Sequence, residues 1–245
     1  MDTSWLSRTQ LLIGQEGLNK LVNAHVLVVG MGGVGSFVAE FIVRAGVGKI
    51  TIVDGDVVEA TNRNRQLPAL TTTEGLHKVD VMRDRLLAIN PELQVITVAD
   101  FVTPEKMEAI VKAAPYDFVV DAIDSVTPKL TLIELAYHQK LPLVSSMGAG
   151  GKLDPTQIKI VDISKTYQCY LALNIRKRLK KIGIRKGFQA VFSPEPSLPE
   201  SLILTDGSNY KKSAYGTISY LPAAFGGACA SVVIRGILET NKSIQ

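Results

Sequence analysis

Apolar residues in the first two thirds of this chain come in short unbroken runs, separated by stretches where they recur every three or four positions. His25–Gly30, Lys49–Asp54, Leu93–Val98, Tyr116–Asp121 and Leu143–Ser146 read as strands apolar on both faces. Between them, Val34–Ala45 has helical spacing with Gly46 as its stop, and Thr73–Asn90 reads as a long helix ended by Asn90-Pro91. Thr103-Pro104-Glu105 starts another helix with Thr at the N-cap, and Thr127-Pro128 opens the next in the same way. Strands buried on both faces need helices on both. Right-handed crossovers then yield a doubly wound, mostly parallel α/β sheet.

After Gly151 the pattern loosens. Ile158–Val161 and Phe188–Phe192 read as strands, Thr166–Lys181 as an amphipathic basic helix, and Ser193–Ser213 as a loop rich in Pro, Ser and Gly. Residues 1–22 read as an N-terminal arm, 23–150 as the core, and 151–245 as an elaboration of the same domain for substrate binding and dimerisation. Residues 217–238 carry one charge, Arg235, and are long enough to span a bilayer. Pro222, Gly226-Gly227 and the many small residues suit a close-packed buried helix better, so membrane association is not expected.

A net charge of +4 permits an anionic partner without demanding one, so the position of the cations matters more than their sum. The two cysteines, Cys169 and Cys229, cannot build a four-cysteine zinc site and read as inert buried thiols. The opening MDTSWLSRTQ lacks the apolar run of a secretory signal, which makes the cytoplasm the expected compartment.

Chemistry enters at Gly30-Met31-Gly32-Gly33-Val34-Gly35, which follows a strand and opens a helix. The first glycine allows the tight turn, the second lets backbone approach phosphate, and Gly35 lets helix and strand pack closely. Asp54 ends the next strand, where a carboxylate meets ribose hydroxyls. A dinucleotide would need little more. Here, however, Asp56, Asn62 and Arg65 follow at once, and Lys78 lies on the next helix. An Arg and a Lys converging on one phosphate chain suit a triphosphate, although Lys78 alone could be a solvated surface lysine. Asp124, just after the strand Tyr116–Asp121, is placed to hold Mg2+ against phosphate oxygens, unless it or Ser125 merely caps the helix. An NAD-dependent oxidoreductase or a nucleotide sensor would leave Arg65, Lys78 and Asp124 without a purpose.

Together these residues resemble the ubiquitin-activating-enzyme-like superfamily, whose members adenylate carboxylates with ATP. The resemblance implies a ribose contact for Asp54, phosphate contacts for Asn62, Arg65 and Lys78, and Mg2+ at Asp124. It also implies that Arg8 reaches an ATP, often across a dimer interface. Stretches such as Asp121-Ala122-Ile123-Asp124-Ser125, Gly148-Ala149-Gly150-Gly151, Asp162-Ile163-Ser164-Lys165-Thr166 and Val191-Phe192-Ser193 look like the tRNA threonylcarbamoyladenosine dehydratase family. Cys169-Tyr170 and Pro194 depart from its pattern. Membership implies ATP-dependent cyclisation of a threonine carboxylate carried on a tRNA adenosine, through an acyl-adenylate, in a homodimer. It leaves open a monovalent cation near Gly148–Gly151 and a sulfur-relay protein partner. The rival within the superfamily is a sulfur-carrier-protein adenylyltransferase, against which the missing zinc cysteines count.

A tRNA substrate, as opposed to DNA, gives a use to Arg176, Lys177, Arg178, Lys180, Lys181, Arg185 and Lys186, a run that could otherwise be a solvated face. Lys211 and Lys212, beside Tyr210 and Tyr215, are candidates for further loop contacts. Because ring closure would be intramolecular, no enzyme thioester is required. Replacing Cys169 and Cys229 together by Ala should therefore leave nucleotide-dependent turnover of modified tRNA intact; loss of turnover in a folded double variant would implicate a thiol.

Overall fold

The computed structural model describes residues 2–204 and 213–239. Seven strands form one sheet: β1 (His25–Val29), β2 (Lys49–Val53), β3 (Gln94–Val98), β4 (Phe118–Asp121), β5 (Leu143–Ser146), β6 (Lys159–Asp162) and β7 (Gln189–Phe192). Their spatial order is β3-β2-β1-β4-β5-β7-β6, all parallel except β6, which runs antiparallel to β7 at the edge. The order reverses between β1 and β4. That makes the C-terminal ends of these strands the crevice where ligands collect in open α/β sheets.

Both faces are covered, as the unbroken apolar strands require. On one face, α2 (Gly35–Ala45), α3 (Lys78–Ile89) and α7 (Tyr220–Glu239) bury Val38, Ile42, Leu86, Phe225 and Cys229 against Val28, Ile50 and Val120. On the other, α4 (Pro104–Lys112), α5 (Val126–His138) and α6 (Tyr170–Lys181) bury Met107, Leu132, Ile133, Ala172 and Ile175 against Leu27, Val119 and Ala190. The apolar segment that could span a bilayer is thus the core helix α7, lying against α2 and strands β4, β5 and β7. α1 (Ser7–Asn23) packs on α7 and is broken at Gly14, whose φ of 74° is left-handed.

Four boundaries differ from the sequence reading. The helix expected from Thr73 begins at Lys78. Thr73 Oγ1 instead serves local backbone, accepting from Leu70 N and donating to Pro68 O; Gly75 is left-handed and His77 pairs with Val57. The helix expected from Thr166 begins at Tyr170, because Gln168 has a positive φ that breaks the run. At the start of α5 the N-cap is Ser125, not Thr127; Pro128 then falls in the first turn, where a missing N–H is harmless. Finally, the expected loop 193–213 contains β8 (Leu202–Leu204), whose apolar triplet pairs antiparallel with β9 (Ser213–Tyr215). Tyr210, Lys211 and Lys212 lie outside the described residues.

One buried group sets a pH limit on this fold. His25, on β1, hydrogen-bonds Thr51 Oγ1 at 2.9 Å and packs on Tyr116. Burial, assisted by Lys49, pulls its pKa from 6.5 down to about 4. Between those values the unfolded chain takes up a proton that the folded chain refuses, so stability falls as pH drops through the window, by up to about 1.4 kcal/mol per pH unit. Thermal unfolding of His25→Gln should show a shallower decline from pH 6.5 to 4 than the wild type. Identical slopes would mean that the imidazole is protonated inside the fold.

Candidate nucleotide-binding site

The turn after β1 is fixed by two glycines that pack on each other. Gly30 has φ 98°, and a Cβ on Gly35 would stand 1.7 Å from the Gly30 carbonyl oxygen. No side chain fits there, so α2 starts directly beneath the turn and directs its first N–H groups at the sheet edge. Asp54, at the end of β2, closes the turn from the side. Its Oδ2 accepts from Met31 N at 2.6 Å and its Oδ1 from Asp56 N at 2.8 Å. Burial pushes its pKa upward, against which Lys78 and these two N–H donors pull. Each carboxylate oxygen keeps a lone pair for a hydroxyl donor such as ribose.

Lys78 is not a solvated surface lysine. It is 4% exposed at the first position of α3, and its Nζ meets Asp56 Oδ2 at 2.7 Å. Asp56, half-exposed, thus holds the ammonium at the edge of the site. The late start of α3 matters here: the extended His77 and the Lys78 N to Asp56 O bond place Lys78 beside the end of β2. Asn62 is buried in a short 3-10 turn, Ala60–Asn62, where its Oδ1 accepts from Glu59 N. Its amide oxygen is therefore structural, and only its N–H groups suit an anion. Arg65 is steadied by the Thr61 carbonyl and Asn64 Oδ1, at 2.9 and 2.8 Å. Burial lowers its pKa and the nearby charge of Asp124 opposes the shift, which brings Arg65 and Asp124 to one locus. Asp124 is exposed, immediately before the N-cap of α5. A single carboxylate cannot cage Mg2+, but it fits the usual mode in which substrate phosphates and water complete the shell. Among the described residues there is no cluster of three or more His, Cys, Asp or Glu that could hold a metal unaided.

Arg8 is elsewhere. Its neighbour Leu6 packs at Gly46, at the end of α2 opposite the phosphate turn. An 11-residue helix, about 16 Å long, separates the two. Of the basic run, Lys177, Arg178, Lys180, Lys181, Arg185 and Lys186 are exposed, with no carboxylate in residues 176–187. Arg176 is the exception, as its Nη1 is spent on the carbonyl and hydroxyl of Thr166. Both cysteines are buried, and burial drives the Cys229 thiol up to about 12.

Two features escaped the sequence reading. Lys129 is wholly buried, with its Nζ 2.7 Å from Asp121 Oδ2, 2.9 Å from the Ser146 carbonyl and 3.3 Å from Ser145 Oγ. Asp121 Oδ1 accepts from Ile123 N, so this ion pair shapes the loop that presents Asp124. The signal was available: Lys129, Leu132, Ile133 and Ala136 share one helical stripe, which puts Lys129 on the core face. The second feature is the start of α7. A Cβ on Gly33 would lie 3.0 Å from Pro222 Cβ, so this distant segment abuts the phosphate turn.

Known proteins resemble this chain in sequence and in fold. The ThiF family profile matches residues 6–245. A Bacillus subtilis tRNA threonylcarbamoyladenosine dehydratase is 48% identical over 189 residues, 77% of this chain and 74% of that one. The Escherichia coli enzyme of the same name is 46% identical over 202 residues, 78% and 75% of the two chains. The crystal structure of E. coli TcdA, tRNA N6-threonylcarbamoyladenosine dehydratase, in complex with ATP superposes with a TM-score of 0.86 at 40% identity, covering 96% of this chain and 94% of that one. The chain belongs to the ThiF family and, within it, to the tRNA threonylcarbamoyladenosine dehydratases.

Proposed function

We propose that this protein uses ATP to cyclise threonylcarbamoyladenosine in tRNA, with loss of one water. The observation that carries the reading is the convergence at one sheet edge of the glycine turn, the Asp56-held Lys78, Arg65 and Asp124. The relatives' names and the ATP complex of the E. coli enzyme support the same choice.

The chemistry needs what these residues can supply. A carboxylate does not expel oxide at neutral pH, so the threonine carboxylate oxygen attacks the α-phosphorus of ATP and pyrophosphate leaves. A nitrogen of the urea arm then attacks the acyl carbon of the adenylate. AMP leaves, the nitrogen gives up its proton, and the ring is closed. Lys78 and Arg65 neutralise the charge that grows on the phosphates during the first step, and Asn62 adds N–H donors. Asp54 accepts from the ribose and so fixes the α-phosphorus relative to the turn. Mg2+, held through Asp124 when bound, supplies further neutralisation of the triphosphate. The second step is intramolecular, so positioning suffices and no thiol is called for.

A homodimer belongs to this proposal. Arg8 is remote from its own site, and next to it Leu11 and Leu12 are 88% and 85% exposed on the arm of α1. A second copy covering that apolar pair would let Arg8 serve the partner's ATP. The six exposed cations of residues 177–186 are the proposed tRNA contacts, and the cytoplasm the proposed compartment. A monovalent cation at Gly148–Gly151 would use backbone carbonyls, of which that of Gly151 already accepts from Leu198 N.

Incubating the protein with ATP and threonylcarbamoylated tRNA should convert the nucleoside to a species lighter by one water; mass analysis showing only starting nucleoside would reject the reading. Lys78→Met and Asp124→Asn should each lower turnover by roughly 100-fold or more while melting stays near wild type, the first by loss of a donor to the transition state and the second by loss of the carboxylate for Mg2+. Wild-type rates in either would remove that residue from the site. Changing Lys177, Arg178, Lys180 and Lys181 to Gln should flatten the plot of log affinity for tRNA against log salt by roughly 0.7–0.9 for each phosphate left without its cation. An unchanged slope would move the RNA to another face.

A further inference from the structure

Residues 215–222 form a strap across the mouth of the nucleotide site. At one end, Asn64 Nδ2 donates to the Thr217 carbonyl at 2.8 Å, tying the strap to the loop that carries Arg65. The adjacent Gly216 carbonyl accepts from Gly151 N at 2.8 Å, tying the same end to the turn after β5. Pro222 meets the phosphate turn at Gly33. Two tyrosines stand on this strap. Tyr215 leans on Gly150 and Gly151, where an added Cβ would come within 2.8 and 3.1 Å of its side chain. Tyr220, two residues before Pro222, donates from its hydroxyl to the Leu153 carbonyl at 2.8 Å. They remain 38% and 47% exposed. The Tyr220 hydroxyl proton is thus engaged by Leu153 while the residue as a whole stays about half-exposed.

We propose that Tyr220, assisted by Tyr215, is the stacking platform for the nucleobase of the RNA substrate. The proposal rests on the dehydratase reading and adds the element that recognises the second substrate. Its logic is one of reach. The reacting carboxylate hangs from the base by a short arm, so the base must sit close to the α-phosphorus. Asp54, at the end of β2, would hold the ribose of ATP on the β2 side of the phosphate turn, whereas the turn contacted by both tyrosines follows β5, across the β1–β4 switch point. The side left open by ATP is the side where the rings stand. Unpaired bases of RNA loops are held by stacking on aromatic side chains, which suits an adenosine beside an anticodon.

The test uses the full-length protein carrying Tyr220→Leu, Tyr220→Phe or Tyr215→Leu. Binding of an anticodon-loop RNA oligonucleotide, followed by fluorescence anisotropy, should weaken about 5- to 100-fold in Tyr220→Leu, the range for loss of one base–aromatic stack. Tyr220→Phe should stay within about threefold of wild type, since the ring is kept. Tyr215→Leu should fall between them. The KM for modified tRNA should rise in the same order while ATP affinity, titrated separately, stays constant. Unaltered RNA binding in Tyr220→Leu would overturn the platform, as would equal weakening of ATP and RNA, which would make the strap a brace for the phosphate turn. If wild-type protein binds the oligonucleotide yet never cyclises the nucleoside, the dehydratase reading fails, and the ratio of oligonucleotide affinities still decides the platform.

Discussion

The contact between Gly35 and the Gly30 carbonyl governs the geometry of the whole sheet edge. Because a Cβ at position 35 would sit 1.7 Å from that oxygen, β1 and α2 can meet at this angle only if residue 35 is glycine. The consequence reaches well beyond the turn. α2 buries Val38, Ile42 and Val43 in the core shared with α3 and α7, so the glycine contact also sets where those helices lie. Lys78 at the head of α3 and Pro222 near the head of α7 arrive at the same edge as the phosphate turn through this packing. One backbone approach thus places an anion-seeking helix end, a buried cation and the strap that carries Tyr220 around one crevice.

Charge is installed on that scaffold by pairs, not by isolated side chains. A lysine as buried as Lys78 would lose hydration with nothing in return unless a carboxylate faced it, and Asp56 does so at 2.7 Å. Because Asp56 is itself half-exposed, the pair can open toward an incoming phosphate without stranding a charge in the interior. Lys129 and Asp121 illustrate the opposite case. Both are completely buried, and Lys129 finds three acceptors for its three N–H bonds. Removing one member of such a pair typically costs about 3–5 kcal/mol, so it suits a fixed structural role. What it fixes is the bend from β4 into α5, through Asp121 Oδ1 and Ile123 N, and with it the outward position of Asp124. The half-exposed pair faces the edge of the crevice, and the wholly buried pair holds the loop beside it.

Much of this was legible in the sequence because it depends on local rules. Unbroken apolar runs gave the parallel strands, and glycine spacing with a following acid gave the phosphate turn. Thr103-Pro104 gave a helix start that appears with Thr103 Oγ1 accepting from Lys106 N. The misplaced boundaries at Thr73 and Thr166 arise where side-chain or positive-φ preferences outweighed periodicity. Asp54 and Asn62 stand out in the sequence as candidates for nucleotide contacts, but not as braces of their own backbone, since such bonds depend on loop conformation. Arg176 could not be told from its neighbours in the basic run, because the Thr166 carbonyl that captures it lies ten residues away across a turn. The start of α7 was the least legible of all. Nothing near Pro222 hints at Gly33, 189 positions earlier.

The same considerations explain how a fold shared with NAD-dependent enzymes can be turned to adenylation without altering its sheet. Strands, crossovers and glycine turn are common to both uses and are set by packing. The difference lies in three loops at the C-terminal edge: 54–66 with Asp56, Asn62 and Arg65, the head of α3 with Lys78, and 122–125 with Asp124. In the proposed function Arg65 and Lys78 supply positive charge, of which a triphosphate calls for more than a dinucleotide. On the proposed reading, nucleotide choice would rest on charge matching at the phosphates, while Asp54 would accept the ribose of either ligand. It follows that substrate identity within the family must be set elsewhere on the edge, and the region left for it is bounded by Gly148–Leu153 and the strap.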